Sequence, residues 1–187
     1  MKSEMIKNIK EDIRKRCESD NNFFGVGIYA HIESVAKNAV ELAKLNNADV
    51  EVCEIAGWLH DIAAITEYSL YEHHHIYGAN MAEEILKAYN YPKDKIALVK
   101  LCILNHRGSV PKEKTTKEEI CVADADAISH LDTIPSLLYM AFVKKNLNIE
   151  DGIEFVKNKI DRSYQKMSKD SQDYYKDKKD LVIKILS

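Results

Sequence analysis

The sequence predicts an all-α fold, and two observations carry that expectation. Apolar residues recur at three- and four-residue intervals over long stretches, the period of a helix with one buried face. Only six glycines and three prolines punctuate 187 residues, which is little for the many turns of an all-β chain. That length suffices for one well-packed domain and is short for two. A composition of 45% hydrophobic and 30% charged residues is ordinary for a globular protein.

The stripes place the helices in order. A first helix is expected over about 4–17, with a loop at 21–27. The second carries Ile28, Ile32, Val35, Ala39 and Leu42 on one face, and the third Val52, Ile55, Ala56, Leu59 and Ala63. After a polar stretch, a fourth carries Gly78, Ala82, Ile85 and Leu86 and ends near Tyr91. Pro92 suits the first turn of a fifth helix, where its missing N–H costs nothing. That helix uses Ile96, Val99 and Ile103. Beyond a loop with Gly108 and Pro111, Thr115 or Thr116 can cap a sixth helix, with Glu118 or Glu119 reaching back. The sixth, EEICVADADAISH, is apolar nearly all round and is therefore central. Pro135 opens a seventh, to about Lys145. From Ile149 one or two amphipathic helices follow (Ile153, Val156, Ile160, then Leu181, Val182, Ile185), free to pack on the core or on a second copy.

Charge narrows the function classes. A net charge of -3 gives no reason to expect nucleic-acid or membrane-surface binding. The basic clusters at Arg14, Lys15, Arg16 and at Lys176, Lys178, Lys179 are interleaved with acidic residues and read as solvated faces. Cys17, Cys53, Cys102 and Cys121 form no C-x-x-C pair and lie in apolar stretches, as reduced buried thiols do. The N-terminal MKSEMIKNIKEDIRKRCE lacks the apolar core of a signal peptide, and no apolar run approaches the ~20 residues that span a bilayer. A cytoplasmic location is the expectation.

The informative residues are polar ones on apolar stripes. His31 follows Ile28 and precedes Ile32 and Val35. His60 lies four residues after Ala56 and three before Ala63. His106 completes Ile96, Val99, Ile103. His74 begins a stripe through Gly78, Ala82 and Ile85, where Gly78 would leave room for a metal or substrate. His75, with Ala79, Ala82 and Leu86, forms a competing stripe. Four helices thus bring an imidazole inward, and aspartates accompany them. Burying such charge costs several kcal/mol unless it is paired, and a cation pairs it. Nitrogen and oxygen donors together suit Mn, Fe, Co, Ni or Zn better than calcium. His60 and Asp61 diverge by roughly 100° on a helix, so a cation must sit at the groove edge to be reached from both. Asp124 and Asp126 stand roughly 200° apart, so one is the direct ligand and the other anchors a histidine ring or a helix end.

The order His31, then His60-Asp61, then Asp126 resembles the H…HD…D signature of the HD superfamily of metal-dependent phosphohydrolases. HIESVAKNAVELA, EIAGWLHDIA and ICVADADAISHLD carry the likeness, over roughly 28–143. It implies a single HD-domain helical bundle of about seven to nine helices over 1–187. Residues 149–187 would pack on the core or on a partner subunit. It assigns His31, His60, Asp61 and Asp126 as metal ligands, because the second aspartate of D-x-D is the usual one. His74 and His106 resemble the added histidines of members that bind two ions. Ser34 and Ala127 stand where such proteins often have Arg. Ala63, Ala64 and Ile65 replace the acidic pair of the alarmone hydrolases, and the glycine-tyrosine-proline motif of cyclic-di-GMP phosphodiesterases is missing.

The implied function is hydrolysis of a phosphomonoester or phosphodiester in a nucleotide or small phosphorylated metabolite, with one or two divalent ions activating water. Asp61 is the natural bridging and catalytic carboxylate. Asp124 or Glu72 would assist proton transfer, and Arg107 and Lys112 would hold phosphate. Two other readings use the same residues: a diiron oxygenase, and a non-catalytic binding module stabilised by metal. A homo-oligomer is compatible with the C-terminal helices.

Overall fold

In the computed structural model, which describes residues 2–107 and 113–187, every regular element is helical. In chain order these are α1 (Lys2–Glu18), α2 (Ile28–Asn46), α3 (Val50–Leu59), α4 (Ile62–Thr66), a 3-10 run (Tyr68–His73), α5 (His74–Ala88), α6 (Lys93–Asn105), α7 (Lys117–Asp132), α8 (Ile134–Tyr139), a π-type turn (Met140–Lys144), α9 (Ile149–Gln165) and α10 (Lys169–Ile185). Among them no helix is long and apolar enough to cross a membrane.

Helix α7 is the axis, as its all-round apolar sequence requires. Val122 and Ala125 pack into the larger core with Ile32, Val35, Ile55 and Leu59 of α2 and α3. Ile128 and Leu131 pack into a second cluster with Val156 and Ile160 of α9 and with α10 residues such as Val182. The C-terminal helices therefore cover the same chain's core. All four cysteines are free and buried.

Local signals work as expected at several termini. Thr116 accepts the Glu119 backbone N–H and Glu119 reaches back, completing a capping box. Asp49 caps α3 by accepting from the N–H groups of Glu51 and Val52. Pro92 stands one position outside its predicted place, as the residue before α6.

Two elements differ from the sequence expectation. The third helix, read as continuous through Ala63, breaks at His60–Asp61: Asp61 leaves helical geometry at φ −106°, ψ 12°. The polar stretch before the fourth helix, to which no element was assigned, forms a 3-10 run leading into α5. Gly78 explains part of the first difference. A Cβ there would lie 3.4 Å from the carbonyl oxygen of His60, so α5 closes directly over the break. Gly78 thus serves helix packing rather than leaving room for a ligand.

Gly57 marks a close crossing of α3 and α2, since a Cβ would fall 2.7 Å from the Ala36 Cα. Backbone cannot yield as a side chain can. Gly57→Val is expected to destabilise the fold by about 1–3 kcal/mol, as overpacking does. Urea unfolding should show a lower midpoint at unchanged slope.

Candidate metal centre

Six predicted residues converge from five helices. His31 comes from the first turn of α2, Asp126 from the middle of α7, and His60 and Asp61 from the break after α3. His74 opens α5, and His106 ends α6. They form two groups: His31, His60 and Asp126, and Asp61, His74 and His106. Within each, the candidate ligand atoms lie within 4.8 Å of one another. His31 Nε2 is 3.3 Å from Asp126 Oδ1. Asp61 joins the groups, with Oδ2 3.4 Å from His60 Nε2 and Oδ1 3.3 Å from His74 Nε2. The helix break makes this possible. On an unbroken helix, adjacent side chains would diverge.

Hydrogen bonds set the histidine tautomers. Nδ1 of His60, His74 and His106 lies 2.8, 2.7 and 2.6 Å from the carbonyls of Gly57, Tyr71 and Ile103, each three residues earlier. A carbonyl only accepts, so Nδ1 carries a proton and Nε2 is the nitrogen turned inward, where a cation can take the place of its proton. This is how a metal-binding imidazole is oriented. His60 Nε2 is buried without a hydrogen-bond partner. His74 and His106 turn their Nε2 atoms toward each other at 3.2 Å, an arrangement of facing lone pairs that a cation reconciles. The donor set fits a transition metal in each group.

Charge makes the same demand. Burial raises the Asp61 and Asp126 carboxyls, but neighbouring imidazoles outweigh it and hold both well below the usual carboxylate range. Burial works against the His60 imidazolium too, yet the Asp61 carboxylate prevails and raises it to about 9. Burial and the facing His60 push His106 down to about 4. The cluster draws positive charge inward and must share it unevenly among its rings.

The HD domain family matches residues 28–131, over half of the chain. The chain belongs to the HD domain family. Ribonuclease Y of Mycoplasma capricolum is 36% identical over 106 residues, 57% of this chain; the chain spans 19% of that relative's length. YpgQ of Bacillus subtilis shares the fold at a TM-score of 0.72 and 15% identity, covering 99% of this chain and 93% of its own. Its structure in complex with ADP aligns at a TM-score of 0.67 and 18% identity, covering 95% and 93%. A protein from an uncultured Thermotogales bacterium, described as a predicted HD superfamily hydrolase, has a TM-score of 0.56 and 22% identity over 85% and 84% of the chains.

The HD centre opens into a cavity of about 430 Å³, whose lining includes His31, Asp61, His74, His106, Arg107 and Asp126. Arg107 is held by Glu72, donating to its backbone carbonyl and its carboxylate. Glu72 is thereby engaged at an exposed site, remote from a proton-transfer role. Lys112 lies outside the described residues. His75 is buried but belongs to neither ligand group. The catalytic assignment of Asp124 needs correction. Its carboxylate accepts from the Ser168 backbone N–H, the Ser168 hydroxyl and the Ser171 hydroxyl at the start of α10. Standing opposite Asp126 on α7, it anchors a helix end and does not line the cavity.

Sequence reasoning missed His130 and the far wall. His130 is buried, its Nδ1 3.9 Å from Asp126 Oδ1 and its ring 4.8 Å from that of His31. The four-residue spacing from Asp126 was the available signal. The wall consists of Lys145, Lys159, Arg162 and Lys166.

Elemental analysis should find close to two transition-metal ions per wild-type chain and about one in His106→Ala. Asp126→Asn should lose metal. Asp124→Asn should keep it and show a lower Tm instead, because it removes only a helix anchor. Equal metal loss in both aspartate variants would overturn the assignment of their roles.

Proposed function

We propose that this HD domain protein is a metal-dependent phosphohydrolase acting on a small phosphorylated compound, a nucleotide or phosphorylated metabolite. The cationic wall carries the reading. Lys159 and Arg162 stand one turn apart on α9, Lys166 follows its last residue, and Lys145 joins them from the end of the π-type turn. Among the described residues, none of the four is ion-paired with a carboxylate. Lys166 is pushed down by burial and by Lys159. Cations held together with no direct carboxylate partner are a site for an anion, and phosphate is an anion that guanidinium and ammonium groups bind well.

The two ligand groups would hold divalent ions, which as Lewis acids polarise a phosphoryl oxygen and acidify water. The remaining work falls to side chains. Asp61 ties the groups together through its two oxygens, and the Nδ1 hydrogen bonds keep His60, His74 and His106 aimed. Lys159, Arg162 and Lys166 receive phosphate oxygens, and Arg107, braced by Glu72, faces the cavity from the α6 end. A diiron oxygenase would use the same six ligands but gives no reason for this wall. The ADP complex of YpgQ supports a phosphorylated ligand. The 36% identity to Ribonuclease Y favours a second reading, in which the scissile bond is a phosphodiester of RNA.

A panel of phosphomonoesters, nucleotides and a short oligoribonucleotide, assayed with Mn²⁺, tests the proposal. Phosphate release from small compounds is expected. Arg162→Gln and Lys159→Gln should each raise KM about tenfold, the low end for a charge-assisted hydrogen bond, because both groups meet solvent. Turnover of the oligoribonucleotide alone would favour the RNA reading. Oxygen consumption without phosphate release would refute hydrolysis.

A further inference from the structure

Helix α10 carries two apolar faces, and its own chain covers only one of them. Tyr175, Val182, Ile183 and Leu186 pack against the second core cluster, with Ile128, Val156 and Ile160. Tyr174, Leu181 and Ile185 do not, and remain 81%, 57% and 74% exposed. At roughly 100° per residue these three fall within about 40° of one another, on one stripe about 16 Å long. A lone apolar side chain on a surface needs no explanation. Three large ones in register along one helix mark a contact surface.

The charges on α10 divide in the same way. Lys169 pairs with Asp173, Lys178 with Asp132 of α7, and Lys179 with Asp161 of α9 and with Asp180. Among the described residues, Asp170, Lys176, Asp177 and Lys184 have no ion pair. Of these, Asp177 and Lys184 flank the stripe together, on the side away from Tyr175 and Val182. They stand seven residues apart, too far along the helix to pair with each other.

Whatever covers the stripe must be apolar along its centre. At one flank it must bring a cation to Asp177 and an anion to Lys184. A second α10 laid antiparallel meets all three demands. Tyr174 with Ile185, and Asp177 with Lys184, are pairs centred within one residue of each other, so a single twofold axis beside Asp180 and Leu181 serves both. It sets Tyr174 against the partner's Ile185 and Asp177 against the partner's Lys184, each contact occurring twice. Lys178 falls near Leu181 at the axis, where its stem is apolar and its ammonium is already held by Asp132. Parallel helices would instead bring Asp177 toward Asp177 and Lys184 toward Lys184.

We infer that a second copy of this chain covers the stripe, forming a symmetric dimer through antiparallel α10 helices. The seam is short. It falls below the roughly 1,200 Å² of a standard interface, so the dimer is concentration-dependent, with a Kd in the micromolar range. No candidate metal ligand belongs to it, and association is therefore separable from hydrolysis.

Sedimentation equilibrium of the full chain, from about 2 to 200 μM, should show the mass rising from one chain toward two. Leu181→Glu should raise Kd at least about tenfold and leave Tm and metal content unchanged, because the side chain is exposed. Asp177→Lys and Lys184→Asp should each weaken association about tenfold, and their combination should return it to within about threefold of wild type. A general effect of charge or helix propensity would not cancel in this way. Register is read by mixing Tyr174→Cys with Ile185→Cys under mild oxidation, since the native cysteines are buried. The mixture should yield a disulfide-linked heterodimer, and neither variant alone should cross-link comparably. Cross-linking of each variant with itself at equal yield would overturn the antiparallel arrangement. A wild type that stays monomeric at the highest concentration, a Leu181→Glu chain that associates as well as wild type, or a charge exchange that restores nothing would overturn the inference.

Discussion

Two half-buried carboxylates that need positive charge, Asp61 and Asp126, set the constraint on which the rest of this structure depends. Each arrives on an otherwise apolar helical segment, and each is kept ionised by surrounding imidazoles. An ionised group in a low-dielectric interior is tolerated only when paired and hydrogen-bonded. The protein offers histidine lone pairs fixed by backbone carbonyls, an arrangement that accepts a cation and that protons alone would satisfy poorly. Helix placement follows from this. The segments ending at His60 and His106 and the one beginning at His74 present their rings where the backbone supplies the carbonyl three residues back.

The interruption at Asp61 belongs to the same logic. A continuous helix through Ala63 would keep one more backbone hydrogen-bonded turn but would separate His60 from Asp61 by roughly 100°. Breaking it lets Asp61 address both groups, and α5 seals the opened backbone through Gly78 lying against His60. Helical regularity is given up at the one position where the ligand geometry conflicts with it, as local rules generally yield at functional sites.

Much of this was legible in the sequence because burial leaves periodic traces. Four histidine candidates stood on apolar stripes, Asp61 and Asp126 came from the likeness to the HD signature, the capping box at Thr116 and Glu119 followed its motif, and the opposed faces of Asp124 and Asp126 followed from their spacing. The missing parts lacked one-dimensional signals. The break after α3 is a tertiary matter, visible only once α5 lies over it. Assigning Asp124 required knowing that the 168–171 segment would reach α7. Lys159, Arg162 and Lys166 flank Val156 and Ile160 as any solvated edge of an amphipathic helix would, and only docking on α7 turns that edge into a cavity wall. The stacking of Tyr68, Tyr71 and His74 was hidden because the stretch before His74 read only as polar, and the alignment exists in 3-10 geometry.

The division of labour along the chain follows from these placements. The HD match ends at residue 131 and contains every candidate metal ligand, whereas Lys145, Lys159, Arg162 and Lys166 lie beyond it. The HD match therefore takes in the candidate metal centre and not the cationic wall. That wall is nevertheless bound firmly to the centre. Val156 and Ile160 share a core with Ile128 and Leu131 of α7, while Asp124 of the same helix clamps the start of α10. Because α7 carries Asp126 toward the candidate metal centre on one face and packs α9 on another, a shift of α9 along α7 would move the cations relative to the centre by the same amount. The seating of α9 on α7, through Val156 and Ile160 against Ile128 and Leu131, thus sets the distance between the cations and Asp126 through a surface that includes no candidate metal ligand.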